Sequence, residues 1–520
     1  MTSLDLDGVK LDVSALSAWT FRRTNAVPRV SSDALEGVKR SHAKLLSFLE
    51  SGIPIYGVTT GFGDSGKRAI SRLQSEELQR NLVSYLLCGS GPVLPVHAAR
   101  AALLIRLNSM CRGLSGVSPE LVERLQMHAA NDWVPVIPRE GSLGASGDLV
   151  PLAYLAANLR GEGQVFSDGG VRSMADVLRE RGVEPYRFRA KEALAIVNGT
   201  SAMAGLFTVN LNHARFLLEW SCLNTAWLCL ALGGRTEAFG PLVNERAKSS
   251  RGQAEVARLV RERLDDEDYR SKPLSQIHIR ESETSEWVQD RYSLRCVPQI
   301  LGPVFDTLKL CEQWLEAEIN SASDNPLVGD DLASGGNFYG GYLSQGMDYL
   351  KISLAHIADT VDRQVAYIID EKSNRGLPSN LADWKGLPEG ERHLHHGLKG
   401  LHQSCSAVTS EILARATPGG IFSRSSESHN QDKVSLGMSA AVQCADMIEP
   451  MFTLLTLQSV VLAQALDLRG VELKGERSRG AYGLIRRFVP FVERDQALGE
   501  KLTSLRAAVR DLAHGKGEWP

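Results

Sequence analysis

Ala145-Ser146-Gly147 sets side by side a carbonyl, a hydroxyl that can leave and an unhindered nitrogen. Gly147 has no Cβ, so its amide nitrogen can approach the carbonyl carbon of Ala145 and the chain can bend sharply there. Ring closure between those atoms expels one water, and loss of the Ser146 hydroxyl expels a second. The product is an imidazolone with an exocyclic methylidene, an electrophile that no coded side chain supplies. Gly141 and Gly144 loosen the approach to the triplet. Asp148 and the apolar run after it read as the start of a helix, whose positive N-terminal end favours charge building on the ring. Alone, the tripeptide reads equally as a small-residue turn before a buried helix. Its surroundings separate the two.

The surrounding stretch, Gly141-Ser-Leu-Gly-Ala-Ser-Gly-Asp-Leu-Val-Pro-Leu-Ala-Tyr154, closely resembles the methylidene-imidazolone (MIO) segment of the aromatic amino acid ammonia-lyase and aminomutase family. That family also contains histidine ammonia-lyase. The resemblance runs from about residue 50 to about 470, through separated motifs in the family's order. It implies an MIO group formed from Ala145-Ser146-Gly147, with no external cofactor and no metal. Eliminating ammonia from an α-amino acid means removing a weakly acidic β-proton and expelling a poor leaving group. An electron-poor ring can take the amine's bonding pair, and a base must reach the β-carbon.

Tyr56, in Ile55-Tyr-Gly-Val-Thr-Thr-Gly-Phe-Gly63, resembles the family's base. A phenol titrates near 10 unperturbed, so it needs a positive or hydrogen-bonding setting to accept a proton near neutrality. Gly61–Gly66 also matches G-x-G-x-x-G, but no second strand with an acidic residue follows at the required spacing. The glycines are therefore read as letting the loop close over substrate. In Gln289-Asp-Arg-Tyr-Ser-Leu-Arg295, a guanidinium can grip a planar carboxylate through two parallel hydrogen bonds. The resemblance makes Arg295 that clamp, with Gln289 and Tyr292 touching substrate or ring. Asn198, in Val-Asn-Gly-Thr-Ser, resembles the asparagine on the MIO carbonyl, although Asn-Gly alone is a turn signal. Asn325 resembles a residue that positions the substrate carboxylate, and Phe338 one that packs near the substrate ring.

Several positions bear on which amino acid is used. Histidine-type members carry Ser-His where this chain has Tyr85-Leu86, and glutamate where it has Gln431. Lys399, Glu427 and Gln431 together resemble the phenylalanine and tyrosine branch. Tyr85 departs from both common patterns of that branch. Its phenol can hydrogen-bond a para-hydroxyl, whose burial without a partner costs about 1–3 kcal/mol. It can equally act as an aromatic wall against phenylalanine. The expected products are cinnamate or coumarate from a lyase; a 2,3-aminomutase shares the first half-reaction and gives a β-amino acid.

The elements that must position these residues are mostly helical. Residues 98–130, 202–233, 301–321 and 435–468 are long stretches with few breakers, and Leu354, Ile357, Val361, Val365 and Ile368 mark one buried helical face. Strand-like alternation is confined to short pieces such as 163–166. The fold class is mainly α: a central bundle of long helices with a smaller N-terminal MIO-bearing region. We divide the chain into an MIO and tyrosine-loop region (1–200), the helix bundle (201–470) and a helical tail (471–520). Residues 261–290 are charge-dense and read as a solvated connection between helices.

The net charge of −3 comes with no basic block, so no nucleic acid partner is expected. The apolar run 450–466, interrupted by Gln458 and Gln464, reads as a buried rather than a membrane helix. Eight cysteines without framework spacing read as reduced core thiols, and the acidic start lacks a signal-peptide core, so a cytoplasmic protein is expected. His393, His395 and His396 lack a carboxylate or cysteine at ligand spacing and read as a solvated loop. The resemblance further implies a homotetramer with shared active sites. Tyr56, Ser146 and Asn198 would come from one chain, Tyr292, Arg295 and Phe338 from a second, and Lys399, Glu427 and Gln431 from a third.

Overall fold

The computed structural model describes residues 2–383 and 385–516, and its architecture is mainly α. Long helices span Ser201–Leu232, Val297–Ile319, Gly341–Ile369 and Gly437–Arg469. The Leu354, Ile357, Val361, Val365 and Ile368 stripe is fully buried. Removing each such side chain from water contributes roughly 1.5–3 kcal/mol before chain entropy is set against it. The Gly437–Arg469 helix is apolar and long enough to cross a membrane, yet 83% of its most apolar window lies inside the protein. It is a core helix.

The stretch 98–130 is two helices rather than one, Val96–Met110 and Pro119–Ala130. Gly113 and Gly116 between them take φ values of +64° and +68°, which a continuing helix cannot accommodate. Ser118 then caps the second helix by accepting from the amide of Leu121, with Pro119 in the first turn. The cysteines also differ in part from expectation. Six are buried, Cys296 is half-buried, and Cys88 is exposed just beyond the Ser75–Leu86 helix.

Two compact units make up the chain. The first comprises Met1–Leu211, Cys311–Asp348 and Pro418–Ala445; the second comprises Asn212–Leu310, Tyr349–Thr417 and Asp446–Pro520. Within the first unit, Gln164–Ser167 and Gly170–Ser173 form an antiparallel hairpin, and Val134–Pro135 adds a third strand beside it. The buried helix Glu192–Val197 starts from Lys191, whose ammonium pairs with Asp324 at 2.6 Å, both side chains fully enclosed.

The second unit holds its helices together partly through buried amides. Gln364 donates to Thr225 Oγ1 at 3.0 Å, Gln458 donates to Gln364 Oε1 at 2.6 Å, and Asn224 donates to Gln458 Oε1 at 2.8 Å. Each amide satisfies the next, which avoids the about 1–3 kcal/mol cost of an orphaned buried polar group. The charge-dense 261–290 stretch begins inside the Arg251–Asp266 helix, and most of the remainder is exposed.

Candidate active site

The strand Pro138–Glu140 leads into the 141–148 loop, and the helix Leu149–Leu159 leaves it. Gly147 sits at φ +72° in a parallel bridge with Gly199. A Cβ there would drive into the carbonyl of Gly199, so glycine is required on two counts. Asp148 follows, fully buried, its amide donating to Gly199 O at 2.7 Å. Its carboxylate accepts from Met203 N at 2.7 Å and Ser142 Oγ at 3.0 Å. Burial outweighs those bonds and pushes its pKa up to about 7.

Two amides converge on Ser146. Asn198 Nδ2 donates to Ser146 O at 2.8 Å, and Gln431 Nε2 donates to Ser146 Oγ at 3.2 Å. Gln431 is oriented for this by Ser426, whose hydroxyl donates to Gln431 Oε1 at 2.8 Å. The carbonyl that an imidazolone would retain and the hydroxyl it would lose therefore each have a donor. The residues present fit an MIO group.

Ser146 and Ala145 line a cavity of about 210 Å³, together with Tyr56, Tyr85, Asn198, Asn325, Phe338, Glu427 and Gln431. The hydroxyl oxygen of Tyr56 accepts from the amide of Gly63 at 2.7 Å. That bond favours a phenolate, but burial outweighs it, and nearby Glu427 opposes it too, so the Tyr56 pKa lies above its ordinary value. Gly63 also lets the chain pass close to Glu427, because a Cβ there would strike its carboxylate. Tyr85 is pushed up to about 12, by desolvation at the pocket wall first and then by Glu427 and Tyr56. It is a neutral hydroxyl at physiological pH, able to donate and accept.

In the second unit, Arg295 ends the short helix Tyr292–Arg295. With its oxygen turned to the guanidinium, Gln289 accepts from Arg295 Nε at 3.2 Å and Nη2 at 2.5 Å. Both nitrogens thus converge on one amide oxygen, on an edge of the guanidinium that can instead take the two oxygens of a carboxylate. The guanidinium carbon also lies 4.6 Å from the centre of the Tyr292 ring. Between them, Asp290 is buried, accepts from Arg235 N at 2.7 Å and pairs with Arg375. Lys399 is exposed at the first position of the Lys399–Ala414 helix.

The sequence profile of the family described as aromatic amino acid lyase matches residues 11–487. The chain belongs to the MIO-dependent aromatic amino acid lyase and aminomutase family. It is 36% identical to a tyrosine 2,3-aminomutase of Chondromyces crocatus over 499 residues, covering 93% of this chain and 92% of the relative. It is 32% identical to a histidine ammonia-lyase of Staphylococcus saprophyticus over 520 residues, covering 98% and 100%. Among solved structures it resembles a tyrosine aminomutase from Streptomyces globisporus, with a TM-score of 0.89, 31% identity, and 99% and 98% of the two chains covered.

One expectation about this lyase-family site needs correction. Phe338, Glu427 and Gln431, expected from neighbouring chains, line the same pocket as Ser146 within one chain. The reason is that segments 311–348 and 418–445 fold into the same compact unit as 1–211. Leu86, expected at a selectivity position, is buried beside Tyr85 at 6% exposure. On the Ser75–Leu86 helix, Leu82 and Tyr85 share a face three residues apart, and Leu82, which the sequence reading missed, also lines the cavity. Helical spacing carried that signal. Phe62 and Tyr339 also line the pocket, and their positions beside the Gly61–Gly63 and Phe338 motifs were the available clue.

Proposed function

We propose that this protein is an ammonia-lyase that eliminates ammonia from an aromatic L-amino acid, L-tyrosine and/or L-phenylalanine, giving the trans-cinnamate-type acid. The observation that carries the reading is the pair of amide donors on Ser146, one on its carbonyl and one on its hydroxyl. In the cyclisation we envisage, the Gly147 nitrogen bonds to the Ala145 carbonyl carbon. The Ala145 oxygen leaves as water, and the Ser146 hydroxyl leaves with its α-proton as a second water. The finished MIO group supplies an electrophile toward the substrate amine.

The remaining work falls to side chains of this chain. Tyr56 takes the substrate β-proton on its oxygen as the phenolate and becomes the phenol, the Gly63 amide having stabilised the phenolate beforehand. Because burial and Glu427 hold this phenol up, proton acceptance near neutrality calls for a cation brought in by substrate or by another copy of the chain. Arg295 clamps the substrate carboxylate, replacing the Gln289 oxygen in its fork. Tyr85, neutral, meets the para-hydroxyl of tyrosine. Tyr292 contacts the reacting end, while Asn325 and Phe338 hold carboxylate and ring. We further propose a homotetramer in which other copies contribute Tyr292, Arg295 and Lys399.

A second reading is a 2,3-aminomutase, which the 36% identity to a tyrosine 2,3-aminomutase favours. The two share the elimination and part only at whether the amine returns to the β-carbon. Incubation with L-tyrosine, L-phenylalanine and L-histidine, resolving α,β-unsaturated acids from β-amino acids, tests both readings. A product from histidine alone contradicts both.

A further inference from the structure

We infer that Arg106 is the positioning residue that sets Asn198 and Gly199 against the Ala145-Ser146-Gly147 turn; the inference rests on the MIO reading above. Arg106 lies inside the Val96–Met110 helix and has no exposed surface. Three of its four hydrogen bonds go to one short stretch of chain, 195–201. Nη1 donates to the carbonyls of Ala195 and Asn198, both at 2.8 Å, and Nε donates to Ser201 Oγ at 2.9 Å. Nη2 donates to Ser323 Oγ at 2.7 Å, two residues before Asn325 in the pocket wall.

The contacts continue from that stretch to the reacting turn. Gly199, at φ +150°, lies flat on the guanidinium, and a Cβ there would strike Nη2. On its other side Gly199 bridges Gly147 and takes the amide of Asp148 at 2.7 Å. With the Asn198 carbonyl fixed by Nη1, its side-chain amide is left pointing at Ser146 O. One rigid fork therefore sets both the backbone that cradles Gly147 and the donor on Ser146. Among the described residues its four hydrogen bonds go to two carbonyls and two hydroxyls rather than to a carboxylate, so this is not an ordinary buried ion pair. Here the planar fork satisfies four acceptors that no apolar residue can.

The test is a double-mutant cycle of Arg106→Lys and Asn198→Ala on the full-length protein. It reads thermal unfolding, peptide mass across residues 145–147, kcat and KM. Arg106→Lys keeps the charge and loses the fork, so we expect kcat to fall by about 10-fold or more with KM changed less than about 3-fold. In the Asn198→Ala background the same change should cost several-fold less than it does in wild type, because the part of its effect that runs through the Asn198 donor is already gone. Additive losses, or a wild-type kcat in Arg106→Lys, overturn the inference. If Arg106→Lys does not fold, Ser323→Ala, which removes one acceptor of the fork, replaces it in the cycle. A several-fold loss of kcat that vanishes beside Asn198→Ala supports the inference, and an unchanged kcat overturns it. An unmodified tripeptide in active wild type defeats the MIO reading itself, and an Asn198→Ala enzyme with normal turnover overturns the inference by showing that the donor does not matter. An impaired Asn198→Ala with an intact Arg106→Lys defeats only the role of Arg106.

Discussion

The side-chain amide of Asn198 lies 2.8 Å from the carbonyl oxygen of Ser146 and donates to it. Fifty-two residues separate the two in sequence, and the Gly147–Gly199 bridge brings them together. Both flanking glycines hold φ values that side-chain-bearing residues avoid, and both approaches are too close for a Cβ. The turn is thus held in place by backbone contact, and the donor is aimed at an oxygen the cyclised group retains.

Tyr56→Phe keeps the ring's packing and removes the proton acceptor. Turnover should fall by at least about 10²-fold, the low end for general acid–base catalysis, while the mass of the 145–147 peptide stays unchanged. Near-normal turnover places the base elsewhere.

Arg295→Lys retains a cation but not the fork that Gln289 occupies in this structure. We expect a raised KM and lower kcat/KM for carboxylate-bearing substrates, by about 10-fold or more for loss of one charged hydrogen bond. Steady-state kinetics with L-phenylalanine and its amide decides this. If Arg295→Lys penalises acid and amide equally, Arg295 is not the carboxylate clamp.

Tyr85→Phe removes a hydroxyl that is neutral at physiological pH. Loss of one neutral hydrogen bond should shift the tyrosine-to-phenylalanine ratio of kcat/KM by roughly 0.5–1.5 kcal/mol, against tyrosine. An unchanged ratio leaves Tyr85 as a wall of the pocket only.

Asp148 gives a pH dependence of stability with a defined sign. Its folded pKa is near 7 against 3.8 for an ordinary carboxyl. As pH rises from about 4 to about 7, the unfolded chain gives up this proton and the folded chain keeps it, so this group's contribution falls. Asp148→Asn removes that titration. Scanning calorimetry of both proteins should show the variant gaining stability relative to wild type over this window, on the order of a few kcal/mol. A constant difference across it contradicts the assignment.

Much of this arrangement was legible in the sequence because it depends on local chemistry. The apolar stripe from Leu354 to Ile368 follows from residue type and spacing, while the family resemblance of their surrounding segments singled out the Ala145-Ser146-Gly147 triplet and Tyr56. What escaped depends on long-range packing. The break at 111–118 follows from two positive-φ glycines and the Ser118-Pro119 start signal, which hydrophobic periodicity alone overrides. The burial of Leu86 beside pocket-facing Tyr85 is a matter of helix rotation against a neighbour. Arg106 looked like any helix arginine, since its acceptors lie about 90 to 217 residues away. Gln431 reaches Ser146 across 285 residues, so only the fold discloses that they meet in one chain.

If Ser146 is consumed in forming the electrophile, the mass of a proteolytic peptide spanning Ala145-Ser146-Gly147 records it. Wild-type enzyme should show the tripeptide lighter by two waters. Ser146→Ala should lose neither water in that way, and nearly all turnover should go with it. A peptide of unmodified mass in fully active wild-type enzyme contradicts the account.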